Sequence, residues 1–256
     1  MAMNAEHTFF FTRKWPVFYE DNHLLVVYKP SGLLIQGDST NDISLLDLAK
    51  QWIKLRCYKP GRVYLALVHR LDRPVAGVTV FARTSKAASR LGSQFRSGEV
   101  KKGYFAVVEG KIGVREGELV DYIERQGPTS RIVEAPTGKS RQARLFFKVI
   151  EKGEKRSFVE IDLLTGRHHQ IRAQLANMGY PVAGDLRYGA STPLSQKQIA
   201  LFAGKLSFTH PVAKETMNFA SPLPAGWPWP GTEKTPEAPP WNWAELSGCL
   251  KKKSLF

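Results

Sequence analysis

The stretch "VHRLDRPVAG", residues 68–77, places one carboxylate, Asp72, between two arginines, Arg70 and Arg73. Small apolar residues follow at positions 75–77. Positive charge nearby favours the ionised form of an aspartate. The cluster suits either a desolvated functional carboxylate or a salt bridge that closes a turn. The stretch therefore predicts a turn between two strands that holds an anion.

The segments on either side of this turn predict strands and helices. A strand, "VYLALVHRL", leads into the turn and a second, "GVTVFAR", leaves it. Upstream, residues 17–36 predict two strands, and residues 44–58 predict a helix with Ser44 as N-cap and Asp47 as its capping-box partner. Downstream, a second helix is predicted over 84–97, ended by the glycine that follows it.

The remaining elements decide the fold class. Residues 101–112 predict a strand, 113–157 a meander of hairpins, and 157–166 another strand. A third helix is predicted over 166–178, with Thr165 as its cap. Because strands outnumber helices without regular βαβ alternation, we expect an α+β fold with a mixed, largely antiparallel sheet and flanking helices.

Composition divides the chain of 256 residues into three parts. Residues 1–16 are an N-terminal extension, 17–221 form the main domain, and 222–256 are a tail rich in proline and tryptophan. Proline on this scale excludes a regular helix or a central strand. We expect an extended tail that packs its tryptophan rings on its own domain.

The charge balance indicates a polyanionic partner. Lys and Arg number 37 against 23 Asp and Glu, a formal net charge of +14. No apolar run approaches the ~20 residues of a membrane-spanning helix, so nucleic acid is favoured over a membrane. Neither a signal peptide nor a disulfide framework is visible, since Cys57 and Cys249 lie far apart. We expect a cytoplasmic monomer.

Two further clusters carry candidate chemistry. In "KKGYFAVVEGK", Lys101 and Lys102 can contact phosphates, and Tyr104 either packs in the core or stacks on a base. In "TGRHHQIRAQL", Arg172 lies at the edge of an apolar helical face and needs an acidic partner, for which Asp72 is the available anion.

The adjacent histidines of the third cluster, His168 and His169, raise the alternative of a metal site. Neighbouring residues on a helix do not converge on one ion, and no carboxylate stands at ligand spacing. We therefore expect no metal.

Together these motifs resemble the RluA family of RNA pseudouridine synthases. The resemblance rests on "VVYKPSGLLIQ", "HRLDR" with its following "AG", "KKGYFAVVEG" and "TGRHHQIRAQLANMGYPVAGDLRYG", and extends to about residue 211. The N-terminal RNA-binding module of many members is not expected here, because "KPSG" comes almost at once. The family commonly has Thr and Ser where this chain has Val75 and Ala76, which puts any hydrogen bond of those hydroxyls in doubt.

The resemblance implies isomerisation of uridine in RNA to pseudouridine, without cofactor or metal. Asp72 is then the catalytic carboxylate, either as nucleophile at the sugar or as base if the sugar passes through a glycal. Arg172 pairs with it, with Arg167 as the alternative partner. Tyr104 stacks on the target base and helps to remove the C5 proton.

The resemblance also implies RNA contacts. The target uridine leaves its stack, and Arg70 fills the vacated space. Other candidates for binding RNA are Lys29, Arg73, Lys101, Lys102, Arg167 and His169. The partner is ribosomal or transfer RNA.

Two other functions compete with this one. A non-catalytic RNA-binding or ribosome assembly protein on the same fold needs none of Asp72, Tyr104 and Arg172. A metal-free nuclease would use His168 or His169 with a lysine, and it would cleave the strand that isomerisation leaves unbroken.

Overall fold

A computed structural model describes residues 17–58, 60–194, 198–224 and 226–230. The N-terminal extension and the tail beyond residue 230 lie outside the described residues. Within that part of the chain, eleven strands form one sheet flanked by three α-helices, which confirms the predicted α+β class. No helix in the described ranges is both long and apolar enough to cross a membrane.

The sheet and helices follow the chain in this order. The strands are β1 (Val17–Glu20), β2 (Leu24–Lys29), β3 (Ala66–Leu67), β4 (Ala76–Ala82), β5 (Lys101–Glu109), β6 (Glu116–Gln126), β7 (Thr129–Val133), β8 (Arg141–Lys152), β9 (Arg156–Leu163), β10 (Leu201–Thr209) and β11 (Thr216–Ala220). The helices are α1 (Leu45–Arg56), α2 (Ser85–Ser97) and α3 (Gln170–Asn177), with a 3-10 turn at Leu186–Tyr188.

Strand order runs β1-β2-β4-β10-β5-β9-β8-β6-β7, with β3 paired to β4 and β11 to β10. Among these pairs only β4 and β10 run parallel. This pairing places the start of β4, directly after the Asp72 turn, at the centre of the sheet. Gly77 makes it possible, because a Cβ there would lie 2.2 Å from the carbonyl oxygen of Ala203. Only a glycine fits so close an approach.

The helix ends that the sequence predicts for α1 and α2 are confirmed. Ser44 and Asp47 form the capping box, with the Ser44 hydroxyl donating to the Asp47 carboxylate at 2.6 Å. The Thr84 hydroxyl accepts from the backbone N–H of Ala87, and Gly98 ends α2 in the left-handed conformation.

Two predicted elements are shorter than expected. The strand "VYLALVHRL" pairs only at β3, because the imidazole Nε2 of His69 accepts the backbone N–H of Val80 at 3.1 Å. Helix α3 begins at Gln170 rather than 166, because His169 has a left-handed backbone with φ of 52°. Thr165 is not its cap; the Thr165 hydroxyl instead donates to the Gln170 side-chain oxygen at 2.7 Å.

The described part of the tail packs on the domain. Trp227 lies against Phe202, and Trp229 stacks on Phe158 with ring centroids 5.7 Å apart. Phe202 is registered with Phe105, whose side chain points to the face of the sheet opposite to Tyr104. The two tryptophans therefore cover part of that face, here called the outer face.

The end of α2 yields a test of backbone conformation. Gly98 has φ of 79°, and open space surrounds the position that a Cβ would take. Gly98→Ala should lower the free energy of unfolding by about 1 kcal/mol, measured by urea denaturation, because alanine resists the left-handed region. Gly113→Ala is the control, since its Cβ also meets open space and its φ is not in that region. Equal effects at both sites would contradict this account.

Candidate active site

Asp72 lies in the turn that leads into β4, and its side chain is 28% exposed. The backbone N–H of Val75 donates to the Asp72 carbonyl at 3.0 Å and closes the turn. Arg73, its neighbour in sequence, turns away and pairs with Asp42 at 2.9 Å. The guanidinium that does reach Asp72 is that of Arg172, with Nη1 3.2 Å from Oδ2. The predicted pair between these two residues is confirmed.

Arg172 is held by a second acid that sequence reasoning missed. Its Nε and Nη2 donate to the two carboxylate oxygens of Asp185 at 2.6 and 2.8 Å, and both side chains are buried. The guanidinium also lies 4.8 Å from the ring centroid of Tyr188. Burial lowers the pKa of Arg172, but Asp185 and Asp72 outweigh it and raise the pKa above its ordinary value. The guanidinium stays charged.

Helix α3 presents Arg172 because Gln170 anchors the loop before it. The Gln170 side-chain oxygen accepts the backbone N–H of Arg167 at 3.0 Å, and its amide donates to the carbonyl of Arg144 at 3.0 Å. A third bond joins Gln170 to Gln174 at 3.0 Å. The buried amide thus fixes the first turn of the helix against β8.

His169 contacts the carboxylate rather than solvent. Its Nε2 lies 3.5 Å from Asp72 Oδ2, and its side chain is 8% exposed. The imidazole is thus occupied by protein groups in this structure, and the expected contact of His169 with RNA stays a prediction. Its ring stacks on that of His168 at 3.8 Å between centroids. Among the described residues, no three potential ligands converge as a metal site.

The carboxylate is asymmetric. Oδ2 faces both Arg172 and His169, whereas no described residue donates to Oδ1. Tyr104 of β5 is close enough that Asp72 raises its pKa, although burial is the larger cause. The Tyr104 hydroxyl has no hydrogen bond within the described ranges, so it is available to a ligand. One oxygen of Asp72 and one phenol therefore remain for chemistry.

Lys29 does not reach solvent, so the expectation that it binds RNA is wrong. It is fully buried and donates to the carbonyls of Pro30, Arg73 and Val75 at 2.9, 3.1 and 2.7 Å. Burial lowers its pKa to about 7, against an opposing effect of Asp72. Lys29 instead stabilises the Asp72 turn by donating to its backbone carbonyls from the buried side.

Several of the predicted cations are exposed or lie on the strand that carries Tyr104. Arg70 and Lys101 are exposed, and Lys102 shares the face of β5 that carries Tyr104. Burial and the neighbouring Arg167 lower the pKa of Lys102 to about 8. Arg70 is close enough to lower the pKa of His168, and Lys102 lies near Arg167. Lys101 has the opposite parity on β5 and therefore belongs to the outer face.

Three site residues had not been singled out. Asp185 and Tyr188 lie in "GDLRYG", a stretch noted only as part of the longer motif, and a buried acid for Arg172 could have been sought there. Ser130 carries no such signal. Its backbone N–H donates to the Tyr188 hydroxyl at 2.8 Å, and its hydroxyl donates to the carbonyl of His168 at 2.7 Å.

Comparison with known sequences finds relatives that share one name, pseudouridine or pseudouridylate synthase. Residues 23–177 match the family described as RNA pseudouridylate synthase. "Ribosomal large subunit pseudouridine synthase C" of Vibrio vulnificus (strain CMCP6) is 34% identical over 214 residues, which cover 81% of this chain and 65% of that protein. "Uncharacterized RNA pseudouridine synthase YhcT" of Bacillus subtilis (strain 168) is 35% identical over 82% of this chain and 68% of that protein. The chain thus spans about two thirds of the length of these relatives.

Solved structures share the fold. "Human RNA Pseudouridylate Synthase Domain Containing 4" superposes with a TM-score of 0.68 at 23% identity, over 81% of this chain and 88% of that one. "Human RNA Pseudouridylate Synthase Domain Containing 1" gives 0.67 at 22% identity, over 98% of both chains.

The buried Lys29 predicts a pH dependence of stability. Its pKa is lower in the folded protein, about 7, than the ordinary 10.5, so the unfolded chain binds more protons between these values. The difference in unfolding free energy between wild type and Lys29→Met should therefore rise from pH 7 to pH 9, by roughly 1 kcal/mol per pH unit. Urea denaturation measures it. Lys101→Met, at an exposed lysine, should show no such trend, and a flat difference for Lys29→Met would contradict the burial argument.

Proposed function

Because this chain belongs to the RNA pseudouridylate synthase family, as its four motifs predicted, we propose that it isomerises uridine in RNA to pseudouridine. One observation carries the proposal most directly. A partly exposed carboxylate, Asp72, has one oxygen held by a buried guanidinium and no described donor on the other, and it is near enough to raise the pKa of Tyr104.

The reaction asks for such a carboxylate. The N1–C1′ bond of the nucleotide breaks, the uracil rotates, and C5 bonds to C1′, while C5 loses a proton and N1 gains one. Developing positive charge at the sugar is stabilised by an adjacent anion, as in glycosidases. Oδ1 of Asp72 is free to attack C1′ or to remove the proton at C2′ on the glycal route. Deuterium at C2′ slows the second route and leaves the first unaffected, so a kinetic isotope effect separates them.

We expect Tyr104 to contact the uracil while it rotates. Its ring can stack on the detached uracil, and its hydroxyl can take part in moving the C5 proton. Burial and Asp72 keep the phenol protonated, because both raise its pKa. The Tyr104 hydroxyl therefore keeps its proton and can donate a hydrogen bond to a substrate.

Exposed cations account for binding and extrusion of the nucleotide. A stacked uridine leaves its helix at a cost of a few kcal/mol. Arg70, exposed and two residues before Asp72, is the residue we expect to occupy the gap, and we expect Lys102 and Arg167 to neutralise phosphates. The name of the Vibrio vulnificus relative makes RNA of the large ribosomal subunit the first substrate to test, with transfer RNA as the second.

The competing functions have less support. A binding protein has no need for the convergence of Asp72, Arg172 and Tyr104. A nuclease needs a histidine facing the scissile phosphate, but His169 has both nitrogens facing protein groups. His168 stacks on it with its Nδ1 3.0 Å from the Ser130 hydroxyl.

Removing the charge of Asp72 tests the assignment. Asp72→Asn should slow turnover by more than about a thousandfold while RNA affinity is retained, measured by tritium release from RNA containing 5-tritiated uridine. Asp162→Asn is the matched control, because this exposed aspartate is paired in register with Gly103 on the outer face. Full activity of Asp72→Asn would exclude the proposed role.

Salt dependence tests the phosphate contacts. Affinity for RNA should fall steeply with salt, and Lys102→Met should reduce the slope of log Kd against log salt by roughly one. Lys205→Met should leave the slope unchanged, because Lys205 pairs with Glu160 on the outer face. An affinity that is flat with salt, or equal slopes for both variants, would contradict the phosphate contact at Lys102.

A further inference from the structure

A short chain of two hydrogen bonds and one polar contact of 3.5 Å ends at the carboxylate of Asp72. The backbone N–H of Ser130 lies 2.8 Å from the Tyr188 hydroxyl, which lies 2.9 Å from Nδ1 of His169. On its other side, Nε2 of His169 lies 3.5 Å from Oδ2 of Asp72. The chain links β7, the 3-10 turn and the loop before α3 to the candidate catalytic group.

The chemistry of the partners determines where the protons are. A backbone N–H can only donate, so Ser130 uses a lone pair of the Tyr188 oxygen and leaves its proton free. A nitrogen that faces a carboxylate is favoured in its protonated form, so the proton of neutral His169 sits on Nε2. Nδ1 is then an acceptor, and the Tyr188 hydroxyl donates to it.

We propose that Tyr188 and His169 are positioning residues for Asp72: Tyr188 fixes the tautomer of His169, and His169 donates from Nε2 to the carboxylate oxygen that also receives Arg172. The catalytic consequence rests on the proposed function. The tautomer itself depends only on the fold.

The surroundings of His169 keep it neutral. Burial lowers its pKa to about 4; Asp72 opposes this, and Arg172, His168 and Arg187 add to it. At neutral pH the imidazole therefore carries a single proton, which the Asp72 carboxylate and the Tyr188 hydroxyl together favour on Nε2.

A second donor restricts the rotation of the Asp72 carboxylate more than Arg172 alone can. One contact, from Nη1 at 3.2 Å, leaves the carboxylate of Asp72 free to rotate about its Cβ–Cγ bond. A second donor from another direction, Nε2 of His169, restricts that rotation. Oδ1 is then kept toward the open side of the site, where the sugar must lie.

The first test reads the tautomer without any RNA. Long-range ¹H–¹⁵N correlation NMR of the imidazoles at pH 7, with the His169 signal identified by its loss in His169→Gln, should show the Nε2–H form. Tyr188→Phe should shift the signal toward a mixture of tautomers. An Nδ1–H form in the wild type, or no change in Tyr188→Phe, would overturn the proposal whether or not the protein isomerises uridine.

The second test reads catalysis. Tyr188→Phe should lower kcat about tenfold, the equivalent of one hydrogen bond of about 1.4 kcal/mol, with KM and RNA affinity unchanged. Tyr180→Phe is the control, since this ring packs near Gly110 away from the Asp72 network. A loss confined to KM, or equal effects in both variants, would overturn the positioning role. Absence of activity in the wild type would refute the proposed function, and the NMR result would still decide the tautomer.

The third test separates the donor from packing. Gln places an N–H near the position of Nε2, whereas Leu does not, and both bear the same backbone strain at a residue with φ of 52°. His169→Gln should therefore retain at least about fivefold more kcat than His169→Leu. Equal loss in both would show that the imidazole only fills space.

Discussion

The site depends on one guanidinium buried between two carboxylates. Isolated in the interior, Arg172 would be strongly destabilising, and its bidentate pair with Asp185 offsets that cost. Two of its three nitrogens are used there, so only Nη1 extends to Asp72. The candidate catalytic carboxylate therefore receives positive charge on one oxygen while the other stays open to a ligand.

The sheet brings these groups together from distant parts of the chain. Because β4 runs parallel to β10 and β10 borders β5, the Asp72 turn and Tyr104 come to the same part of the sheet, two strands apart. The close contact of Gly77 with Ala203 allows that arrangement. The pairing of Asp72 with Arg172 thus relies on a close approach of the backbones at Gly77 and Ala203, which any side chain at 77 would prevent.

Features set by neighbouring residues, such as helix caps, could be predicted from the sequence. Features set by tertiary contacts, such as the second acid that pairs with Arg172, could not. Capping at Ser44 depends on residues within one helical turn, so the pattern sufficed. The pair of Asp72 and Arg172 followed from the need of a buried cation for an anion. Asp185 was missed because that reasoning stopped at one partner. The late start of α3 was missed because helix propensity says nothing of the tertiary contacts that hold His169 in a left-handed conformation.

The contacts of Lys29 bear on which side chains the Asp72 turn accepts. Its ammonium donates to main-chain oxygens of the turn, including that of Val75, and every amino acid supplies such an oxygen. A change of side chain at 75 consequently leaves this hydrogen bond in place. The contact of Lys29 with residue 75 therefore does not need the hydroxyl that the RluA family commonly has there.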